Sequence, residues 1–337
     1  MHRISRMLIS TLTASGLWMM WAGQSVGMDT EPGRMKNVVW LTPAPAAQTV
    51  MAKEIAVQGD GTLQALILPG MESGGEEESF IPAPDSGEVR ETTIEGGMSI
   101  KNQTGYFVDA AEMLKAGPGL SLPAEGPQIL IIHTHSSEAY TQAGLDRYLP
   151  SDTNRTEDSQ FNIIRIGDEL TDILSEAGLS VIHDRGIYDY PSYTGSYSRS
   201  GEAVQQYLES YPSIRIVLDV HRDALGSGSV VYKTMAEEEG VCASQLMLLV
   251  GSDGSGLEHP GWQQNMALAL YLQNAAVQRN PTLMRPISLV QERYNQHLSP
   301  GALILEVGSA GNTLQEALAG TRLFGRAVAE ALLELVE

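Results

Sequence analysis

Five residues of this chain stand where apolar runs stop. His133, His135 and Glu138 follow ILII at 129–132, His221 follows IRIVLDV at 214–220, and Glu306 follows ALIL at 302–305. Imidazole nitrogens and carboxylate oxygens are what zinc takes when thiolates are lacking, and Cys242 is the single cysteine. An intrachain disulfide and a Cys-rich zinc cluster are therefore excluded. A catalytic zinc takes three protein ligands and keeps a fourth position for water, whose pKa falls to about 7. His133 and His135 lie two apart, so in an extended strand both imidazoles leave the same face and either or both could meet one ion. His221 adds another ligand. The third is open between Glu138, close to the histidines, and Asp158, which opens the next helix.

Glu306 suits general acid–base work. A carboxylate at a strand end beside the attacking water takes a proton and returns it to a leaving nitrogen. Its plainer use is a structural carboxylate hydrogen-bonded to the following GSAGNT loop. Arg222 carries a fork that matches a substrate carboxylate, with an ion pair to Asp223 as the plainer use. Tyr193, in the loop YDYPSYTGSYSRS at 188–200, and Glu138 are further substrate contacts. His221-Arg222-Asp223 has the letters of a kinase H-R-D, but no Gly-rich phosphate loop, strand lysine or D-F-G accompanies it. A serine or cysteine nucleophile is disfavoured, because there is no G-x-S-x-G elbow and no histidine adjoins Cys242.

The elements that must position these residues follow from periodicity. The branched-aliphatic run at 129–132 predicts a buried strand of a parallel sheet, and ligands of such sheets bind beyond the strands' carboxyl ends. Residues 158–177 carry Ile163, Ile166, Leu170, Ile173 and Leu174 at helical spacing before Gly178. Further strands are predicted at 179–183, 214–220, 230–234, 246–250, 287–290 and 302–305, with helices at 109–115, 202–209, 262–279 and 314–336. The alternation predicts an α/β fold, a mostly parallel sheet with helices on both faces.

Composition divides the 337-residue chain. Residues 7–28 carry no charge and are long enough for one span. Arg3 and Arg6 precede them, and Asp29 and Glu31 follow, an asymmetry that leaves the N-terminus cytoplasmic and the rest outside. We read 1–28 as a transmembrane anchor making a single-pass cell-membrane protein, with a cleaved signal peptide as the alternative. Residues 29–98 are an acidic, Pro- and Gly-rich linker, and 99–337 the catalytic domain. With 21 Lys+Arg against 41 Asp+Glu, the net charge of -20 repels phosphate backbones, so nucleic acid is not an expected partner.

Five segments, HTHSSEAY at 133–140, NIIRIGDEL at 162–170, PSYTGSYSRS at 191–200, LDVHRDA at 218–224 and RYNQHLSPGALILEVGSAGNTLQEA at 293–317, together resemble the stage II sporulation protein P family. The resemblance implies a membrane-anchored peptidoglycan hydrolase of engulfment, with a fold similar to zinc N-acetylmuramoyl-L-alanine amidases. It implies cleavage between N-acetylmuramic acid and L-Ala, endopeptidase activity on cross-linked stem peptides, and sporulation proteins D, a lytic transglycosylase, and M as partners. It also implies His135, Asp158 and His221 as zinc ligands and Glu306 as the catalytic acid–base. Asp158 stands where amidases have Glu, and their Gly-His-Gly-Gly turn is missing, which keeps His133 and Glu138 open as ligands. A catalytically silent peptidoglycan-binding module is the rival reading, and Glu306 separates the two because binding alone does not need it.

Overall fold

The computed structural model describes residues 88–337, apart from Gly228 and Glu239. The anchor at 7–28 and most of the linker lie outside the described residues, and among those described no helix is long and apolar enough to cross a membrane. The folded domain reaches further back than residue 99. β1 (Glu88–Thr92) already pairs in parallel with β7 (Val230–Glu238).

The site is carried by a seven-stranded sheet made of β2 (Ile100–Asn102), β3 (Ile129–Ile132), β4 (Val181–His183), β5 (Ile216–Asp223), β9 (Leu246–Val250), β10 (Ile287–Leu289) and β11 (Gly301–Ser309). Their order is β2-β10-β9-β11-β5-β3-β4. β6 (Gly226–Ser227), β7, β8 (Val241–Ser244) and β1 form a smaller sheet. The expectation of one mostly parallel sheet is corrected: both sheets are mixed. β9 runs antiparallel to β11, and β6 and β8 run antiparallel to β7. Strand direction is set by connections, and a run such as Leu246–Val250 reads the same either way.

Side-chain alternation sorts the strands between two cores. Ile129 and Ile131, with Ile216, Leu218 and Val220, pack toward α1 (Ala110–Ala116), α2 (Ile163–Glu176), α4 (Trp262–Arg279) and α5 (Leu314–Leu333). Leu130, Ile132, Val217 and Ala302 face α3 (Ser196–Ser210). All four residues of β3 are buried, each contributing about 1.5–3 kcal/mol of apolar transfer that offsets chain entropy. The same alternation puts Asp219 and His221 of β5, two and four residues after Val217, on the α3 side. Glu306 shares that side, since it is the register partner of His221.

Several boundaries differ from expectation. α2 starts at Ile163 because Asn162 caps it, its side-chain oxygen accepting from Ile164 N at 3.0 Å. α3 starts at Ser196, inside the Tyr- and Ser-rich stretch expected to be loop. β5 and β11 run past His221 and Glu306, so both are strand residues and not strand-exit residues. Beyond Glu306 the register slips, and Gly308 takes φ +62°, where an added Cβ would meet the Ser244 side chain at 2.9 Å. Tyr140, fully buried, donates from its hydroxyl to Val307 O at 2.9 Å and so ties the Glu138 segment to the strand bearing Glu306.

Tyr140→Phe should retain the fold and lose about 0.5–1.5 kcal/mol, the usual net worth of such a bond. Urea denaturation should show a lower midpoint at unchanged slope; an unchanged midpoint would mean the tie contributes nothing.

Candidate active site

β3 ends at Ile132, and the chain turns at once, with Glu138 N donating to His135 O at 3.0 Å. The two-residue alternation expected of a strand stops there, so His133 and His135 diverge. His133 Nδ1 donates to Val220 O at 2.9 Å, and its Nε2 lies 2.9 Å from His183 Nε2. Both nitrogens are engaged away from His135, which corrects the expectation that the two imidazoles share a face. Gly167 of α2 is what admits the pair: a Cβ there would come within 2.4 Å of either Nε2. Burial, then the neighbouring His183, pushes the His133 pKa down to about 3.

His135 joins His221 on the α3 side, their ring centres 5.2 Å apart and edge to face. Tyr193 stacks on His135 at 4.5 Å and 10°, its hydroxyl 3.1 Å from Nε2, so the expected substrate contact lies directly over a ligand candidate. Tyr197 meets the same imidazole edge-on at 5.4 Å. Burial, then the field of His221, pushes His135 down to about 4, which leaves it neutral with a lone pair at neutral pH.

Of the two carboxylates weighed as third ligand, Glu138 meets the histidines and Asp158 does not. Asp158 is exposed, and its carboxylate accepts from Gln160 N at 3.0 Å in a turn before α2. Glu138 is buried, with Oε2 3.5 Å from His221 Nδ1 and accepting from Arg222 N at 3.2 Å. Burial works to raise its pKa, but Arg222 and then His221 overcome that and bring it to about 2. Arg222 is therefore not the substrate clamp that its fork suggests. It is buried, and its Nε and Nη2 donate to Ala139 O and Asn154 O at 2.9 and 3.1 Å. Arg155 holds the other oxygen, Nη2 to Oε1 at 3.3 Å.

Asp219, which sequence reasoning passed over, lies 2.9 Å from His221 Nε2. The approach is off-axis, so that nitrogen makes a charge contact and has no directed hydrogen bond. Asp219 accepts from Thr134 N and Oγ1 at 2.8 and 2.6 Å, which fixes it against the β3 turn. An acidic residue inside the apolar run IRIVLDV, two before His221 and hence on its face, was the available signal. Burial tends to lower the His221 pKa, but Asp219 and then Glu138 hold it well above the ordinary value. Glu306 is the reverse case: burial, then Asp223, pushes it up to about 8, and its Oε2 has no partner.

Among the described residues no three His, Cys, Asp or Glu side chains are placed so that they could hold a metal ion as they stand. The donor chemistry nonetheless fits zinc. His135, His221 and Glu138 supply two imidazoles and a carboxylate, and two buried polar atoms nearby, His221 Nε2 and Glu306 Oε2, lack hydrogen-bond partners.

The Glu306 carboxyl gives the metal-free protein a pH signature. Folded, it keeps its proton to about pH 8; unfolded, it loses it near the ordinary glutamate value of 4.5. Between those limits the unfolded chain binds fewer protons, so this group's contribution to stability falls as pH rises, and is flat below and above the window. Glu306→Gln removes the titration. Urea unfolding at pH 5 and pH 8.5, about the ends of that window, should show the variant gaining on wild type toward the higher pH; a constant gap would place the Glu306 pKa in the ordinary carboxylate range.

Residues 73–329 match the family Stage II sporulation protein P. Stage II sporulation protein P of Bacillus subtilis (strain 168) is 24% identical over 203 residues, 56% of this chain and 47% of that protein, so the chain's match spans about half the relative's length. Similar solved structures include N-acetylmuramoyl-L-alanine amidase AmiC2 of Nostoc punctiforme, at 14% identity and TM-score 0.35, covering 62% of this chain and 97% of that one. The N-acetylmuramyl-L-alanine amidase Ami1 from Mycobacterium abscessus, in its apo form, gives 10% identity and TM-score 0.36, covering 63% and 99%. With most of its length matched, and with the quoted motifs gathered around one site, the chain belongs to the Stage II sporulation protein P family.

Proposed function

We propose that this chain is a zinc-dependent N-acetylmuramoyl-L-alanine amidase acting on peptidoglycan during sporulation, with endopeptidase activity on cross-linked stem peptides. The observation that carries the reading is Glu306: a half-buried residue whose Oε2 is buried without a partner, in register with His221 and on the face shared with the ligand candidates. A binding module has no use for such a group, because an unpartnered buried carboxyl oxygen costs stability.

His135, His221 and Glu138 are the proposed ligands. A bound zinc ion supplies an acidified water and polarises the amide carbonyl. The chain's own residues do the rest. Glu306 accepts the proton of the attacking water and delivers it to the leaving nitrogen; its affinity of about 8 belongs to the metal-free site, and a dication held beside it would favour the ionised form that can accept the proton. Asp219 orients His221 from its Nε2 side. Tyr193, Tyr197 and Tyr294 form an aromatic wall beside His135, with Tyr197 and Tyr294 ring centres 5.3 Å apart. Residues 99–337 are proposed to work outside the membrane, held by 1–28, with sporulation proteins D and M as partners.

Glu306→Gln should retain zinc and wall binding while losing about 10²–10⁴-fold in release of stem peptide from transglycosylase-treated wall. Mass spectrometry of the soluble products measures this, and near wild-type release would make Glu306 structural. If wild type is equally inert, the binding-module reading replaces the hydrolase.

The ligand assignment has its own check. His135→Ala and His221→Ala should each lose metal in a folded protein, whereas His133→Ala should lose stability and keep metal, since both its nitrogens are engaged elsewhere. Metal content after gel filtration decides. Zinc lost with His133 and retained without His135 would reverse the assignment.

A further inference from the structure

Arg155 belongs to no motif that suggested chemistry, yet it touches both a ligand candidate and the cover of another. Its segment is zipped onto the β3 exit: Ala139 N donates to Asn154 O at 2.9 Å and Thr156 N to Ser137 O at 2.8 Å, which sets Arg155 opposite Glu138. From there Nη2 reaches Glu138 Oε1 at 3.3 Å, while Nη1 donates to Asp189 Oδ2 at 2.6 Å and Ser137 Oγ at 3.0 Å. The Asp189 side chain is wholly buried and also accepts from Ser137 N and Oγ, at 3.0 and 2.7 Å. The guanidinium is thereby locked in plane and direction. Its Cζ lies 5.1 Å from the centre of the Tyr193 ring, the ring that stacks on His135.

We infer that Arg155 is a positioning residue that sets two parts of the site at once, the carboxylate of Glu138 and the Tyr193 plate over His135. This rests on the zinc reading above. The argument is geometric. Tyr193 is 59% exposed and leaves His135 only 7% exposed, so access to His135 depends on a side chain seated by stacking and by one cation. A cation over an aromatic face at an exposed site contributes modestly, enough to bias the plate closed without locking it. The same cation fixes Glu138 through a directed contact. Only a rigid fork can serve Asp189, Glu138 and the ring together; a lysine ammonium is a point charge on a flexible stem.

The test uses the full chain, zinc affinity by chelator competition, the absorption spectrum of the cobalt(II)-substituted protein, and the rate at which excess chelator extracts metal. Arg155→Lys and Arg155→Gln should fold, bind zinc about 10–100-fold more weakly, as loss of a ligand's supporting contact does, and shift the cobalt spectrum. Failure of lysine to rescue separates fork geometry from charge. Tyr193→Ala, at an exposed position that folding tolerates, should speed both uptake and extraction several-fold. Folded Arg155 variants with wild-type affinity and spectrum would overturn the inference, as would a Tyr193→Ala protein with unchanged exchange rates. A wild-type chain that takes up no zinc through His135 and His221 would instead bring down the amidase reading, and this one with it.

Discussion

Glu138 is a carboxylate taken out of water, and the mouth of the site is built to make that tolerable. Burying an unpaired carboxylate is prohibitive, so its oxygens must find donors. One oxygen faces the Arg155 guanidinium, the other accepts from Arg222 N and lies beside His221. Those donors bring obligations of their own. Arg222, buried in turn, uses the carbonyls of Ala139 and Asn154, and Arg155 uses Asp189. The segment from the end of β3 to the start of α2 folds back on itself because these carbonyls and carboxylates have to be where the arginines are.

Two desolvated carboxyls then end in opposite states. Glu138 is brought to about 2 and Glu306 to about 8, although burial pushes both upward. The difference is company. Glu138 sits among Arg222, His221 and His135, whereas the first charged neighbour of Glu306 is another acid, Asp223, with Glu138 adding to it. Groups of one chemical type pushed apart in proton affinity are what a site needs if one is to stay an anion and the other is to trade protons.

How much of this was legible in the sequence depends on whether the signal was local. The strands ending near His133, His221 and Glu306 were readable because apolar runs of that length have few alternatives, and the bounds of α4 because Asn280-Pro281 stops it. Glu306 stands on the expected strand, and family motifs pointed to it. The direction of β9 was not readable, nor was β8, which follows an acidic stretch that looks like a turn. Arg222 was misread because a guanidinium's partners here are backbone carbonyls far along the chain, and no residue type announces those. Asp158 was preferred to Glu138 on motif spacing. Glu138 is the one that meets His221, because the turn after β3 carries it there, a consequence of hydrogen bonds at 133–139 and not of periodicity.

His133 shows why a site at several strand ends needs support from the opposite face as well. On the α3 side, Asp219 joins the β3 turn through Thr134 to His221. On the α2 side, His133 joins the same turn to Val220 O, one residue before His221, and to His183 at the end of β4, which lies 3.1 Å from Asp168 of α2. The turn is therefore held from above and below by buried polar contacts that apolar packing could not direct. A hydrophobic contact would tolerate a slide of β3 against β5, but a slide breaks the Thr134 and His133 bonds together and strands buried polar groups. Residues 133–135 thus divide the work, the first two fixing the frame and the third standing beside His221 under the Tyr193 ring.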